Sequence, residues 1–299
     1  MALDYFGYLG LKKSYIFEGG KIAVLEDFDK AQQWMEEYLN RDGFLYPPIT
    51  QSITCDPVTM EKKETISNTE RPALLHRIPS THSIEIHGCG DIDELRKGPS
   101  AFVINLLGFL LGYRLQFHNW WFDGRVPIKK NNGLFVQKET VEDFISHGYN
   151  VWKTWDAENQ KLIINLLYMF SRSPCYEWEW ERFSIDYMVI DGIWKLHKSL
   201  RKIDDKVSHP QRILRMCKDY KIPKNDEYLS KINKLRTELF HESLWDGGQP
   251  CGSGSNDAFY KTIFMRNIIK RLVPALIGYK TPFIKTEWWH LGAFSFDKK

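Results

Sequence analysis

The sequence predicts an α+β chain, with a mixed α/β region over residues 1–150 and an all-α helical bundle over residues 151–299. Three observations carry that expectation. Before residue 150, apolar residues come in short alternating runs separated by Gly, Pro and Asp, the pattern of half-buried strands. From about Asp156 they recur with a period near 3.6, as amphipathic helices require, with breaks at Ser173-Pro174 and Ile222-Pro223. Ala101 to Leu111 is apolar apart from Asn105 and Gly108. That run reads as a buried helix, well short of the roughly 20 residues needed to cross a bilayer.

Taken in order, Tyr15-Ile-Phe-Glu, Gly19-Gly20 and Lys21-Ile-Ala-Val-Leu read as a two-residue hairpin, because Gly-Gly accepts the positive φ angles of primed turns. A short amphipathic helix is expected from Asp29 to Leu39. Residues 46–72, rich in Pro, Thr, Ser and charge, suggest a long loop or irregular strands. Thr81 to His87 alternates as a half-buried strand, and Tyr113 to Ile128 is strand-like with a turn at Asp123-Gly124. Helices are then expected at Glu158–Phe170, Trp178–Leu200, Gln211–Tyr220, Asp226–Glu242 and Asn256–Ile277. An extended aromatic tail is expected over Thr281–Phe296.

Composition narrows the function classes. The 299 residues are 43 % hydrophobic and 26 % charged, which argues against extensive disorder. A formal charge of +3 is too small to demand a nucleic-acid partner and permits one if the basic residues cluster. Five scattered cysteines without a Cys-x-x-Cys pair, and an N-terminus without a signal-peptide pattern, suggest reduced thiols in the cytoplasm. Walker-type loops, Gly-x-Ser-x-Gly and His-Glu-x-x-His are absent from the sequence, so ATPase, serine-hydrolase and zinc-protease readings have no support. His82, His87 and Cys89 lie close together without a recognised ligand spacing, and a packing or surface role is expected, with no metal and no other cofactor.

The strongest chemical signal is Arg236, with His241 five residues later. At about 100° per residue, Leu229, Ile232, Leu235, Leu239 and Phe240 share a stripe roughly 140° wide, and Arg236 projects within it. A cation aimed at a packed seam costs several kcal/mol unless it is paired or used. Spacing alone also fits an arginine in a buried salt bridge and a histidine answering the helix dipole. For metal-free RNA cleavage, His241 offers a proton acceptor or donor near neutral pH, and Arg236 offers a planar cation for the phosphorane charge. Five positions diverge by about 140° on a helix, so a single chain is expected to bring the two together poorly and a two-fold dimer better. On the preceding long helix, Asp186 and His197 fall at the edge of the apolar face and Asp191 on its other flank; either carboxylate is expected to orient Arg236.

Arg236-x-x-x-x-His241, together with the long helix Arg182–Leu200 and the break at Tyr220-Lys-Ile-Pro, resembles the HEPN superfamily over roughly residues 155–280. The resemblance implies a dimeric bundle and a metal-independent endoribonuclease of a toxin or antiviral defence system, with Arg236, His241 and Asp191 as site residues. It also implies a sensing or restraining role for residues 1–150 and a partner protein of the same system. Active relatives carry Asn, Asp or His directly after the arginine, and this chain has Thr237. An inactive scaffold or RNA-binding subunit is therefore the alternative. Lys261, Arg266, Lys270 and Arg271, interleaved with Phe259, Tyr260 and Phe264, are the candidate RNA-binding residues, against a plain solvated helix face. His118, Asp123 and Arg125 around Trp120-Trp121-Phe122 fit either a pocket, as in a small-molecule sensor, or a domain seam.

Overall fold

The structure, a computed structural model, describes residues 3–46, 49–72, 75–88, 96–129, 133–243, 245 and 256–298. Cys89 and the Gly-rich stretch 246–255 lie outside them. The strands are β1 (Leu3–Gly7), β2 (Tyr15–Phe17), β3 (Gly20–Val24), β4 (Phe44–Leu45), β5 (Ile49–Cys55), β6 (Lys62–Pro72), β7 (Leu75–His76), β8 (His82–Ile86), β9 (Gln116–Phe117), β10 (Phe122–Asp123) and β11 (Val126–Pro127). The helices are α1 (Phe28–Tyr38), α2 (Pro99–Leu111), α3 (Lys138–Lys153), α4 (Ala157–Arg172), α5 (Glu179–Arg201), α6 (His209–Tyr220), α7 (Asp226–Glu242) and α8 (Asn256–Leu276). Strands followed by helices make this an α+β protein, as the sequence predicts.

The principal sheet is antiparallel, in the order β2-β3-β8-β1-β9. Its hairpin turn is Glu18-Gly19, one residue earlier than expected. Gly19 takes the left-handed φ of 107°, while Gly20 joins β3 opposite Phe17. β2 is an edge strand, and α3 covers that edge. The Ile16 amide donates to Glu142 Oε1 at 2.8 Å and the Glu18 amide to Ser146 Oγ at 3.0 Å. Side-chain acceptors thus occupy amides that would otherwise invite another strand. Of the two expectations for residues 46–72, irregular strands hold: β5 and β6 make their own hairpin with register shifts at Ile49/Thr50 and Thr54/Cys55, turned by Asp56, whose carboxylate accepts from the Val58 and Thr59 amides. Asp123-Gly124 is a turn, with Gly124 at φ 62°, yet β10 and β11 pair with β7 and β4 and not with each other.

Helix α2 is buried along its whole length from Ser100 to Leu110, as its composition predicts. It packs against β8 on one side and against α3 and α4 on the other. One apolar cluster therefore runs from Phe6 and Ile84 in the sheet, through α2, to Ile190, Leu235 and Phe296. The expected boundary at residue 150 falls inside α3, and the core is continuous across it. Gly108 allows the chain to double back after α2, because a Cβ there would sit 2.5 Å from the Tyr113 carbonyl oxygen. Gly108→Ala is expected to cost about 1–3 kcal/mol in a denaturant melt, since backbone and not a mobile side chain blocks the methyl group. An unchanged midpoint would contradict that reading.

Around α5 stand α4, α6, α7 and α8. That enclosure corrects the expectation for Asp186 and His197, which are fully buried and not at a face edge. His197 is held by Tyr220 Oη at 2.8 Å and by Asp219 Oδ2 at 3.2 Å. The helix ends follow local chemistry. Asp156 and Asn225 accept from the amides of Asn159 and Tyr228, while Lys202, Lys221 and Ser243 close α5, α6 and α7 in the left-handed conformation. In the tail, Phe296 is buried and its amide donates to the Phe135 carbonyl at 2.8 Å.

Two buried histidines in the N-terminal half set a pH limit on this fold. Burial pushes His76 and His82 down to about 4 from an ordinary value of 6.5. Both His76 ring nitrogens lack a hydrogen-bond partner among the described residues, and His82 bonds to Thr81 and to the Lys13 carbonyl. Each ring is neutral when folded and takes up a proton on unfolding. Their contribution is complete above about pH 6.5 and is lost as pH falls toward 4. The expected slope is about 1.4 kcal/mol per pH unit per ring inside that window. Urea midpoints at pH 7, 6 and 5 check it, and a flat profile would exclude it.

Candidate active site

Three helices bring their polar groups together around the ring of Tyr187 on α5. On α7, Leu229, Ile232 and Leu235 are buried as the periodicity predicts, whereas Phe240 is 44 % exposed. Arg236 lies half-buried, its guanidinium 5.7 Å from the Tyr187 ring centre and 5.5 Å from that of Phe240. Aromatic faces, and not a carboxylate, carry the cation: Arg236 has no ion-pair partner among the described residues. Its Nη1 stands 2.7 Å from His241 Nε2.

That contact corrects the expected divergence of the two side chains within one chain. Five positions separate the Cα directions, but an arginine side chain spans more than a helical turn, and His241 sits in the last turn of α7. Guanidinium only donates, so in this contact His241 Nε2 is the acceptor.

Asp191 does not orient Arg236. Its Oδ1 accepts from Arg212 Nη1 on α6 at 2.7 Å and lies 3.3 Å from His209 Nδ1. His209 Nδ1 is itself 3.0 Å from Arg212 Nη1. Burial lowers the His209 pKa most; Arg212 and Arg236 lower it further, and Asp191 opposes them. His209 is thereby kept neutral near pH 7. The cluster holds two imidazoles and two guanidiniums against one carboxylate, and the Nε–H groups of Arg212 and Arg236 are buried with no acceptor among the described residues. Such a surface suits a phosphate better than a cation. No group of three or more His, Cys, Asp or Glu residues converges as metal ligands among the described residues.

His209 and Arg212 escaped the sequence reading, which began the helix at Gln211. Ser208-His209-Pro210 carries the signal: Ser at the cap and Pro in the first turn place His209 at the helix start. Asp186 is occupied elsewhere, by Arg266 Nη1 at 2.9 Å.

The four basic residues of α8 do not form one face. Arg266 points inward to Asp186 and to the Phe170 carbonyl at 3.2 Å, its guanidinium 3.9 Å above the Phe170 ring. Arg271 is buried and donates to the Thr286 carbonyl at 2.8 Å, Thr286 Oγ1 at 2.7 Å and the Asn267 carbonyl at 2.9 Å. Both guanidiniums are internal ties, which removes them from the expected RNA-contacting set. Burial brings Lys270 down to about 7, and it lines a small cavity of about 290 Å³; Lys261 is half-buried near the start of α8. A helix packed on several sides spends its arginines on the core, which a list of basic residues does not reveal.

Of the remaining candidates, His82 is buried and His87 exposed. Asp123 joins Arg114 at 2.6 Å and also pairs with Arg172, and Arg125 donates to the Cys175 and Tyr176 carbonyls at 3.2 and 2.8 Å. These groups form a seam between β10–β11 and the helices. Comparison with protein-family models, curated proteins and solved structures gives no match to this chain.

Proposed function

We propose that this chain is a metal-independent endoribonuclease of the HEPN type, acting in the cytoplasm within a toxin or antiviral defence system. The reading rests on one observation above all: Arg236, free of any carboxylate among the described residues, touches His241 at 2.7 Å at the exposed end of α7. An RNA phosphate arriving there takes over the arginine fork, which frees His241 Nε2 to accept a proton. The 2′-oxygen, losing that proton to His241, bonds to the adjacent phosphorus. The bond to the 5′-oxygen breaks, that oxygen leaves with a proton from water, and a 2′,3′-cyclic phosphate remains. Arg236 stabilises the added charge on the phosphorane oxygens.

Arg212 and His209 extend the same nitrogen-rich surface along α6. The Arg/His pair already meets within one chain, so a homodimer is not needed to assemble it. Two chains would instead offer two pairs to one RNA, and the exposed ring of Phe240 supplies apolar surface beside the site. A catalytically silent RNA-binding module is the second reading, favoured by exposed Thr237 after the arginine.

The deciding experiment is incubation of the purified chain with total RNA in EDTA. Cleavage is expected to persist and to leave 2′,3′-cyclic phosphate ends. Cleavage abolished by EDTA would overturn the proposal, and no cleavage with or without metal would leave the silent module.

A further inference from the structure

A cavity of about 610 Å³ lies between the start of α2, α4 and the turn after β9. Its volume falls in the range of small-molecule sites. Four aromatic rings line it: Phe117, Trp120, Trp152 and Tyr168. The Trp152 ring is fixed by stacking on Phe102 at 5.2 Å. Trp120 is placed by a tight turn in which its amide donates to the Phe117 carbonyl at 3.1 Å and Asn119 takes a left-handed φ of 67°. The Trp120 ring meets Phe117 edge-on at 5.2 Å, yet the residue remains 44 % exposed. An indole pinned by backbone geometry with an open surface is a ready stacking platform.

The polar groups of the cavity favour an anion. Arg96 at its rim is taken by Asp4, with bonds of 2.6 and 2.8 Å. Among the described residues, Lys97 and Lys161 have no ion-pair partner and no Asp or Glu lines the cavity. The N-terminus of α2, a 13-residue helix, also borders it at Gly98, with no side chain among the described residues capping its first amides. On the wall, Asn105 is 8 % exposed; its Nδ2 donates to the Ala101 carbonyl at 2.8 Å, and its Oδ1 has no donor among the described residues. That acceptor, on a residue lining the cavity, would suit an N–H on the ring of a ligand.

We propose that this cavity binds a small planar anion, an aromatic ring carrying one phosphate or carboxylate group, the class that includes mononucleotides. The ring lies against Trp120, its N–H meets Asn105, and the anionic group faces Lys97, Lys161 and the start of α2. This site is separate from the Arg236–His241 cluster and stands whether or not the chain cleaves RNA.

Titration calorimetry on the full chain tests it with four probes: AMP, indole-3-acetate, adenosine and inorganic phosphate. AMP or indole-3-acetate is expected to bind with a Kd below roughly 100 µM, at least about tenfold tighter than adenosine or phosphate, because ring and charge both contribute. The better of the two identifies the anionic group. Trp120→Ala and Lys161→Glu are each expected to weaken that binding about tenfold while leaving Tm unchanged, since both side chains are exposed. Equal affinity for phosphate alone, no binding by either ring-bearing anion, or unaltered affinity in either variant overturns the proposal.

Discussion

Asp186→Ala is expected to destabilise the chain by about 3–5 kcal/mol, as much as truncating a large core side chain. Burial pushes the Asp186 carboxyl above the usual carboxylate range, against the pull of Arg266. The pair joins three helices, because Arg266 on α8 reaches Asp186 on α5 and the Phe170 carbonyl on α4. Removing the carboxylate leaves a guanidinium whose side chain is only 14 % exposed, with a carbonyl and a ring for company. Asp186→Asn, which keeps an acceptor, should lose much less. The double variant Asp186→Leu with Arg266→Met should recover most of the loss, since neither partner is then stranded. Urea midpoints measure all three, and additive losses in the double variant would refute the pairing energetics.

His241→Ala is expected to reduce EDTA-resistant RNA cleavage by about 10²–10⁴-fold, the usual contribution of a positioned proton-transfer group. Its stability cost should stay within about 0.5 kcal/mol because His241 is exposed. Arg236→Ala should abolish cleavage too, at a higher stability cost of about 1 kcal/mol, because two aromatic faces lose their cation. Arg236→Lys separates the two roles: it keeps a positive charge over the rings but lacks the fork, so stability should return and activity should not. Full activity in either alanine variant would remove this cluster from the chemistry. A loss of 3 kcal/mol or more from Arg236→Ala, in a chain that never cleaves RNA, would make the residue structural.

The helices of the C-terminal half were legible in the sequence to within one or two residues, because their limits are set locally by Asp156, Asn225, Pro174 and Pro223. Sheet order was not legible. β8 pairs with β1 and β3 across dozens of residues, and nothing in its alternation names those partners. The site was half legible for the same reason. A helical wheel gives the face on which Asp191 stands but not the helix opposite it, and that helix turned out to bring Arg212 rather than Arg236. Side-chain length was the other gap: an angle between Cα positions could not foresee Arg236 reaching His241.

Helix α2 has a thermodynamic consequence for the chain as a unit. It gives the sheet its inner wall and also lies against α3 and α4, so neither half can bury its apolar surface without it. Unfolding should then be a single cooperative transition, with the amides of α2 exchanging hydrogen only through global opening. Expressing residues 151–299 alone would deprive α4 of that wall, including the Phe109 ring that stands 5.2 Å from Phe170. Such a fragment is expected to aggregate or to remain loosely packed. For any nuclease or ligand site carried here, stability cannot be apportioned between the halves, and a lesion in the sheet will be felt at α7 as a loss of folded molecules.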